Sequence, residues 1–234
     1  MVRLQNFPTL SIIIPTLNEA SHLPLLFADL NAWPNSFDLT IVDGGSKDLT
    51  ISIAQIQGAN VIKCPKKNRG HQLKIGAKNA KGEWLLFLHA DSRLNQRWVK
   101  SLKKIIANEK SKNFIWYFDF KIKKNNLEFR VLEAAVAIRS HFFQSPYGDQ
   151  GLLINNDLYS ISGGFKSLKI MEDLEFITRL TKIKRAKRIG ESIYTDDIKW
   201  LNSNILIRAL KNAKLRKKWR QGCDLDKLSE EYYS

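Results

Sequence analysis

The chain has 234 residues, a hydrophobic fraction of 44% and a formal charge of +15, from 38 Lys and Arg against 23 Asp and Glu. That hydrophobic fraction is enough for a packed core and argues against intrinsic disorder, and the length fits one large domain or two small ones. Residues 182–220 hold 13 basic and 3 acidic side chains, a net +10. Because the rest of the chain is only mildly basic, the net charge does not by itself indicate a nucleic-acid-binding protein.

The first hundred residues alternate short apolar runs with longer amphipathic segments. Nearly continuous apolar runs separated by helices are typical of parallel strands that are buried on both faces. The predicted strands are Leu10–Ile14, Leu39–Val42, Val61–Ile62 and Trp84–Leu88, and the predicted helices are Ala20–Leu30, Asp48–Gln57, Gly70–Lys81 and Asn95–Asn108. The pattern predicts an α/β fold built from βαβ units with right-handed crossovers.

The rhythm changes after Asn108, where longer and more aromatic elements follow. The predicted elements are a strand over Phe114–Ile122, a helix over Leu127–Phe143, a strand over Gly151–Ile154, a helix over Met171–Leu180 and a basic helix over Leu201–Trp219 before a short acidic tail. No repeat, low-complexity tract or linker divides the chain. We therefore predict that the second half packs on the same sheet as the first.

Polar side chains gather where the predicted parallel strands end. Ligands of open parallel sheets bind in the crevice outside the carboxyl ends of the strands. The segments at this edge are Pro15–Glu19, Asp43–Asp48, Lys66–Gly70 and His89–Arg93. Turn chemistry is the simpler explanation for any single segment, but four of them together favour a ligand site.

The ligand that these residue types favour is a nucleotide diphosphate held through a metal ion. The sequence contains neither a GxGxxG fingerprint nor a P-loop. A strand-end carboxylate such as Asp43 can accept hydrogen bonds from a nucleoside ring or a ribose. Asp91 is a hard oxygen ligand suited to Mg²⁺ or Mn²⁺, which usually take one or two protein carboxylates together with substrate phosphates. Glu172 and Asp173 lie at a predicted helix start. They are there either because the helix dipole favours acidic side chains in the first turn or because the helix holds a general base in a fixed position.

Four segments, in this order and at these separations, resemble the family 2 glycosyltransferases of the GT-A fold. They are SIIIPTLNEA, TIVDGGSKDLT, RGHQLKIGAKNAKGEWLLFLHADSRL and GGFKSLKIMEDLEFITRL. LHADSRL and YGDQG further resemble the bacterial radical-SAM/selenodomain-associated glycosyltransferase subfamily. The resemblance covers about residues 9–181. It implies a Rossmann-like, mostly parallel central sheet flanked by helices, with a basic C-terminal helical segment.

The resemblance also implies that residues 1–234 form a single domain with three parts of different function. Residues 1–108 would be the nucleotide-sugar-binding half, residues 109–181 the acceptor and catalytic half, and residues 182–234 the basic helical segment. The donor-binding residues would be Pro15, Asn18, Glu19, Asp43, Arg69 and His89, the metal ligand Asp91, the general base Asp173 supported by Glu172, and the acceptor-facing residues Asp149 and Gln150.

His89 departs from the family pattern, because many relatives have aspartate at the start of this metal motif. An imidazole there would ligate Mn²⁺, hydrogen-bond a phosphate, or simply be a satisfied histidine at a strand end. With Asp91 as the lone carboxylate, the divalent cation, Mg²⁺ or Mn²⁺, would be held mainly by the diphosphate and water.

The function that the resemblance implies is an inverting transfer of a sugar from a nucleotide-diphosphate sugar to a hydroxyl acceptor, by a metal-assisted single displacement. The basic segment 182–220 is either a helix packed on the domain or one that lies on an anionic membrane surface, which would suit a lipid-linked or apolar acceptor. The alternative functions are a nucleotide- or polyanion-binding protein without transferase activity, and a nucleotidyltransferase. No nucleic-acid partner is expected, because RNA-binding signatures are absent from the sequence.

The predicted location is the cytoplasm, including the inner face of the membrane. The apolar run Leu10–Ile14 is too short for the core of a signal peptide, and no stretch approaches the roughly 18 apolar residues of a membrane span. Cys64 and Cys223 match no metal-ligand spacing, which argues against a structural zinc site and a disulfide framework.

Overall fold

A computed structural model describes residues 10–64, 68–124, 126–195 and 205–233. The strands are β1 Leu10–Thr16, β2 Asp38–Asp43, β3 Asn60–Lys63, β4 Trp84–Phe87, β5 Arg93–Leu94, β6 Ile115–Ile122, β7 Leu152–Asn155 and β8 Ala186–Thr195. The helices are α1 Leu23–Leu30, α2 Thr50–Ile56, α3 Arg69–Asn79, α4 Trp98–Ile106, α5 Leu127–Phe142, α6 Asn156–Ile161, α7 Glu172–Leu180, α8 Ile205–Arg220 and α9 Leu225–Tyr233. Short 3₁₀ helices cover Glu109–Asn113 and Gly148–Gln150.

The strands of the described residues join one sheet in the order β3-β2-β1-β4-β7-β6-β8-β5. The pairs β1–β2, β1–β4, β2–β3 and β6–β8 are parallel, whereas β7 runs antiparallel to both of its neighbours and β5 runs antiparallel to β8. The predicted α/β fold with a mostly parallel sheet is therefore confirmed. The strands of the second half do extend the sheet of the first.

Both faces of the sheet are covered, which explains the nearly continuous apolar runs. In β1, Ile12 and Ile14 pack with residues of α1 and α4, whereas Ile13 packs with residues of α3 and α7 on the opposite face. All three isoleucines are fully buried. Each such side chain contributes roughly 1.5–3 kcal/mol by leaving water. With both faces covered by helices, the carboxyl-end edge of β1, β2 and β4 is left for polar side chains.

The segment 182–234, predicted to be helical, contains a strand. Residues 186–195 form β8, which pairs in parallel with β6. Its buried Ala186 and Ile189 are interrupted by exposed cations, and Gly190 has a φ of 86° beside a register shift between Tyr117 and Asp119. The shift breaks the two-residue alternation that identifies a strand in a sequence. The short acidic tail contains the helix α9, which agrees with the helical segment predicted there.

The basic helix is present as α8, although residues 201–204 of its predicted range lie outside the described residues. Leu215 of α8 is fully buried in a small cluster with Ile170 and Leu228 of α9. This contact agrees with a helix that packs on the protein. Among the residues that the structure describes, no helix combines the length and apolar character needed to cross a bilayer.

Candidate active site

The first turn of α7 presents two neighbouring carboxylates, Glu172 and Asp173. Met171, immediately before them, has a left-handed backbone with a φ of 59°. A bulky non-glycine residue adopts this conformation rarely, and such strain tends to persist where the surrounding structure fixes it at a functional site. The helix dipole favours both carboxylates at this position.

Glu172 is 1% exposed and forms an ion pair with Arg69 of α3, whose Nε donates to Glu172 Oε1. Asn68 caps α3 by accepting a hydrogen bond from the His71 backbone N–H at 2.9 Å, which fixes the helix start. Burial opposes the charge on Arg69, but the attraction of Glu172 and Asp173 raises the pKa of the guanidinium above its usual value. Arg69, predicted near a diphosphate, thus has a protein partner in α7.

Gly70 allows this close approach of α3 to α7. A Cβ at Gly70 would lie 2.3 Å from the carbonyl oxygen of Lys166 and 2.9 Å from Cβ of Glu172. Since one of these neighbours is backbone, a side chain here would push the two helix starts apart.

We therefore expect Gly70→Ala to lower the free energy of unfolding by about 1–3 kcal/mol, as overpacking usually does. Urea unfolding followed by tryptophan fluorescence measures this value. Lys78→Ala, at an exposed position of the same helix, is the matched control and should be nearly neutral. Equal stabilities for the Gly70→Ala variant and the native chain would show that α3 and α7 do not depend on this contact.

Asp173 is held as an ionised carboxylate. Its Oδ2 accepts from the Gly148 backbone N–H at 3.0 Å and its Oδ1 from the Leu174 N–H at 2.7 Å. Burial alone would raise the pKa of Asp173, but Arg69, these two hydrogen bonds and His89 lower it below the usual value. For Glu172, burial dominates and raises the pKa, although Arg69 opposes the change. Of the two carboxylates, Asp173 is the one whose ionised form its surroundings favour.

His89 follows β4 and lies against the loop that binds Asp173. A Cβ at Gly148 would lie 2.9 Å from Nε2 of His89 and 3.4 Å from Oδ2 of Asp173, so the imidazole, the loop and the carboxylate meet at one point. The structure thus brings together Arg69, His89, Glu172 and Asp173, all of which the sequence singled out.

The loop Tyr147–Gln150 forms the other side of this cluster. Gln150 is 1% exposed, and its Oε1 accepts from Ser140 Oγ at 2.7 Å and Arg139 Nη2 at 3.0 Å, while its Nε2 donates to the Phe118 carbonyl at 3.2 Å. These bonds engage both ends of the amide. Gln150 therefore holds the loop in place, and its predicted contact with an acceptor stays a prediction.

Asp149 precedes Gln150 in this loop, and its predicted contact with an acceptor also stays a prediction. Because its carboxylate lies near Asp173, we also consider it as a second candidate base. Burial raises its pKa, and the nearby negative charge of Asp173 adds to this effect while Arg139 opposes it. Six buried side-chain atoms of the described residues have no hydrogen-bond partner, and three of them, Asp149 Oδ1, Tyr147 Oη and Glu172 Oε2, lie in this cluster. Buried polar atoms are normally paired, so this concentration of unpaired oxygens is typical of a site completed by water or a ligand.

A small cavity lies beside these groups. It has a volume of about 20 Å³, and its wall is polar at His89, Tyr147 and Asp173 but otherwise mainly apolar. This volume holds about one water molecule. The cavity is too small for a sugar or a nucleotide.

The predicted donor residues at the ends of β1 and β2 form a separate network. Asp43 is 1% exposed and accepts hydrogen bonds from the Gly45 and Ser46 backbone N–H groups, both at 2.9 Å, and from Thr16 Oγ1 at 3.2 Å. Ser46 Oγ also donates to Asp43. The turn itself thus occupies this carboxylate, so a direct bond to a nucleoside would have to replace one of these bonds.

The neighbouring donor residues tie the two strand-end loops together. Asn18 Oδ1 accepts from the Lys47 N–H at 2.8 Å, and the Asn18 backbone, at a φ of 55°, donates to Ser46 Oγ at 2.8 Å. Glu19 pairs with His22 Nδ1 at 2.8 Å, and Pro15 lies opposite Val42 in the parallel register. These contacts are structural, and a role in donor binding stays a prediction for each of the residues.

Asp91 lies in the loop after β4 and is 8% exposed. Its Oδ2 accepts a hydrogen bond from Oγ1 of Thr195, at the end of β8, at a distance of 3.4 Å. In the described part of the chain, no group of three His, Cys, Asp or Glu side chains is arranged to hold a metal ion. A single carboxylate still suits Mg²⁺ or Mn²⁺ if substrate phosphates supply further ligands. The residues present therefore fit a metal that is bound together with a diphosphate.

Residues that the sequence did not single out complete the cluster. Arg139 of α5 lies 3.7 Å from the Tyr147 ring centre, and Arg216 of α8 lies 5.4 Å from it. Burial and repulsion from Arg139 lower the pKa of Arg216, against the attraction of Tyr147 and Asp149. Tyr147 stands in the YGDQG segment and could have been found there. No local pattern indicates that Arg216 reaches this loop.

Comparison with known proteins identifies relatives of this fold. The family described as Glycosyl transferase family 2 matches residues 11–171, which is more than half of the chain. A PGL/p-HBAD biosynthesis glycosyltransferase of Mycobacterium tuberculosis is 28% identical over 180 residues, which cover 74% of this chain and 69% of that protein.

Two solved structures share the fold at low sequence identity. The crystal structure of S. aureus TarS 1-349 in complex with UDP-GlcNAc matches with a TM-score of 0.64 and 18% identity, over 80% of this chain and 58% of that chain. The mannosyltransferase PcManGT of Pyrobaculum calidifontis, in complex with GDP-Man and Mn²⁺, matches with a TM-score of 0.59 and 17% identity, over 80% of this chain and 57% of that chain. The chain thus spans less than two thirds of either structure. The finer radical-SAM subfamily resemblance stays a prediction.

Proposed function

The chain belongs to glycosyl transferase family 2, and from this premise we propose that it moves a sugar from a nucleotide-diphosphate sugar to a hydroxyl acceptor with inversion. The observation that carries the proposal is the ionised Asp173, fixed at the start of α7 by Gly148 and Leu174 beside Arg69 and His89. The UDP-GlcNAc and GDP-Man bound to the two neighbouring structures support a nucleotide-sugar donor.

The proposed step is a single displacement. Asp173 removes the proton from the acceptor hydroxyl while the acceptor oxygen attacks the anomeric carbon from the side opposite the nucleotide. The new bond from acceptor oxygen to carbon forms as the bond from carbon to the diphosphate oxygen breaks, so the electron pair leaves with the nucleotide diphosphate. Attack from the opposite side inverts the configuration of the anomeric carbon.

A divalent cation would be held by Asp91 together with the donor diphosphate. When bound, Mg²⁺ or Mn²⁺ supplies positive charge to the departing diphosphate. The Mn²⁺ in the PcManGT complex supports this choice of cation. Thr195, whose hydroxyl donates to Asp91, orients the carboxylate from β8.

We expect Asp91→Ala to weaken metal-dependent donor binding by about tenfold or more, because a carboxylate ligand is lost. Calorimetric titration with UDP-GlcNAc and GDP-Man, in Mn²⁺ and then in EDTA, measures the effect. Asp157→Ala removes an exposed carboxylate from α6 and serves as the matched control. An unchanged difference between the Mn²⁺ and EDTA titrations would exclude Asp91 as a metal ligand.

The acid limb of the pH profile separates the two candidate bases. A carboxylate with a lowered pKa stays ionised as the pH falls. If Asp173 is the base, the rate should therefore fall only below about pH 3.9, the usual pKa of aspartate. If Asp149 is the base, the rate should already fall above that pH, because the pKa of Asp149 is raised. Initial rates of donor hydrolysis should be measured in Glu172→Gln, which removes the titration of the neighbouring glutamate, with fluorescence as the check on folding.

The alternative function is a nucleotide- or polyanion-binding protein without transferase activity. It would show donor binding in calorimetry without any hydrolysis or transfer of the sugar. The identity of the acceptor, its lipid-linked or apolar nature, the membrane contact of residues 182–220, the cytoplasmic location and the absence of a nucleic-acid partner stay predictions. The burial of Leu215 favours the packed form of the basic helix.

A further inference from the structure

The helix α5 is apolar on two opposite sides. Phe129 and Val136 face inward and pack with Phe120 and Ile122 of β6. The opposite side consists of side chains that are more than half exposed and recur at helical spacing. They are Leu127 at 79%, Val131 at 56%, Ile138 at 52% and Phe142 at 73%, followed by Phe143 at 75%. These five residues are called the α5 face below.

In the described part of the chain, no segment buries the α5 face. An apolar stripe along a helix normally faces a core or a partner. Contiguous exposed apolar patches mark interaction sites, whereas single exposed apolar residues such as Ile56 on α2 and Ile161 on α6 are ordinary. The α5 face thus indicates an apolar partner outside the described residues.

Basic side chains lie beside the α5 face. A cleft between α5 and strands β6 and β8 is lined by Ile138 and Phe142, and its two cations are paired with carboxylates, Arg188 with Asp119 and Lys121 with Glu133. Just beyond α5, Gln144 Oε1 accepts from the Ala186 N–H at 2.8 Å, which brings the start of β8 to the end of the helix. Two exposed cations, Lys182 and Arg185, lie in the segment that enters β8.

Charge decides which partner fits. Interfacial helices that bind membranes combine an apolar face with neighbouring Lys and Arg, which lie close to anionic headgroups. A second copy of this chain would bring the same cations and a formal charge of +15 to the contact, so the two copies would repel each other. An anionic lipid surface is complementary to both the apolar and the cationic parts.

We propose that the α5 face, together with the exposed Lys182 and Arg185 of the segment that reaches the end of α5 through Ala186, docks this protein on an anionic membrane surface. The loop Tyr147–Gln150 follows α5 after four residues and donates to Asp173 through Gly148. Docking therefore brings the base close to the plane of the membrane and favours an acceptor hydroxyl on a lipid. This last step rests on the proposed transferase function, but the docking itself does not.

Flotation of the whole chain with phosphatidylcholine vesicles, prepared with and without phosphatidylglycerol, tests the docking. We expect binding at low salt to the anionic vesicles, and a loss of at least about tenfold in Phe142→Ser/Phe143→Ser. Ile56→Ser/Ile161→Ser removes two equally exposed side chains elsewhere and should bind normally. Lys182→Gln/Arg185→Gln should lose about tenfold on anionic vesicles, whereas Lys74→Gln/Lys78→Gln on α3 should lose much less.

Three results would overturn the proposal. They are no flotation with anionic vesicles at low salt, equal flotation of the Phe142→Ser/Phe143→Ser variant, and a dimer in light scattering that this variant dissociates while vesicles bind neither form. Donor hydrolysis in solution should be the same for Phe142→Ser/Phe143→Ser and the native chain. A chain that floats without hydrolysing any donor would contradict the proposed function and leave the docking intact.

Discussion

Asp173→Asn is expected to lower transfer and donor hydrolysis by about 10²–10⁴-fold, the usual contribution of a general base. Asparagine keeps the shape and can still accept the hydrogen bonds from Gly148 and Leu174 through its single oxygen, one at a time. It cannot take up a proton from the acceptor. Donor affinity should change little, because Asp173 acts on the acceptor and not on the nucleotide. Initial rates and calorimetry on the same protein measure the two effects separately.

Two further variants serve as a matched control and as a test of the second candidate base. Asp157→Asn makes the same change in the first turn of α6 and should retain the native rate. Asp149→Asn addresses the rival base, and its loss should be the smaller one. An Asp149→Asn variant that is inactive beside an active Asp173→Asn variant would transfer the role of base to Asp149.

Arg69→Ala is expected to destabilise the protein by about 2 kcal/mol. Removing one partner of a buried ion pair usually costs 3–5 kcal/mol, but Arg69 is 42% exposed, so water already screens part of the interaction. The loss arises mainly because Glu172, at 1% exposure, keeps a buried carboxylate without its cation. Urea unfolding of the variant gives the value.

The double variant Arg69→Ala/Glu172→Gln tests this cause. If the buried charge is the problem, glutamine should recover much of the lost stability, and the double-mutant cycle should show a coupling of about 1 kcal/mol or more. Additive effects of the two substitutions would show that Arg69 stabilises α3 independently of its ion pair with Glu172 of α7. Arg69 would then be available for the diphosphate, as the sequence predicts.

The strands β1, β2 and β4 could be predicted because they are buried on both faces, which leaves a continuous apolar run in the sequence. The edge strand β3 has only the half-buried pair Val61 and Ile62 as its signal. In β8 the signal fails, since exposed Lys187 and Arg188 follow the buried Ala186, and Gly190 lies beside a register shift that breaks the alternation. The many Lys and Arg of residues 182–220 obscure the alternation of buried and exposed residues, so this segment resembles a basic helix in the sequence.

The candidate site was predictable where short motifs carry it and not where the fold assembles it. His89 and Asp173 stand in recognisable segments, and strand ends converge by the geometry of a parallel sheet. The ion pair of Arg69 with Glu172 joins residues far apart in the chain, and so does the approach of Arg216 to Tyr147. The apolar outer face of α5 was predicted as part of a helix, but only its exposure shows that it lacks a partner in the described residues.

We propose that Asp173 drives an inverting transfer from a nucleotide sugar. Its most direct test needs no knowledge of the acceptor, because water can take the acceptor's place. Proton NMR of the hydrolysis of an α-linked donor, UDP-GlcNAc or GDP-Man, identifies the anomer of the sugar that is released first. We expect the β-anomer from the native chain and almost no hydrolysis by Asp173→Asn. Release of the α-anomer first, or hydrolysis by Asp173→Asn at the native rate, would contradict the claim.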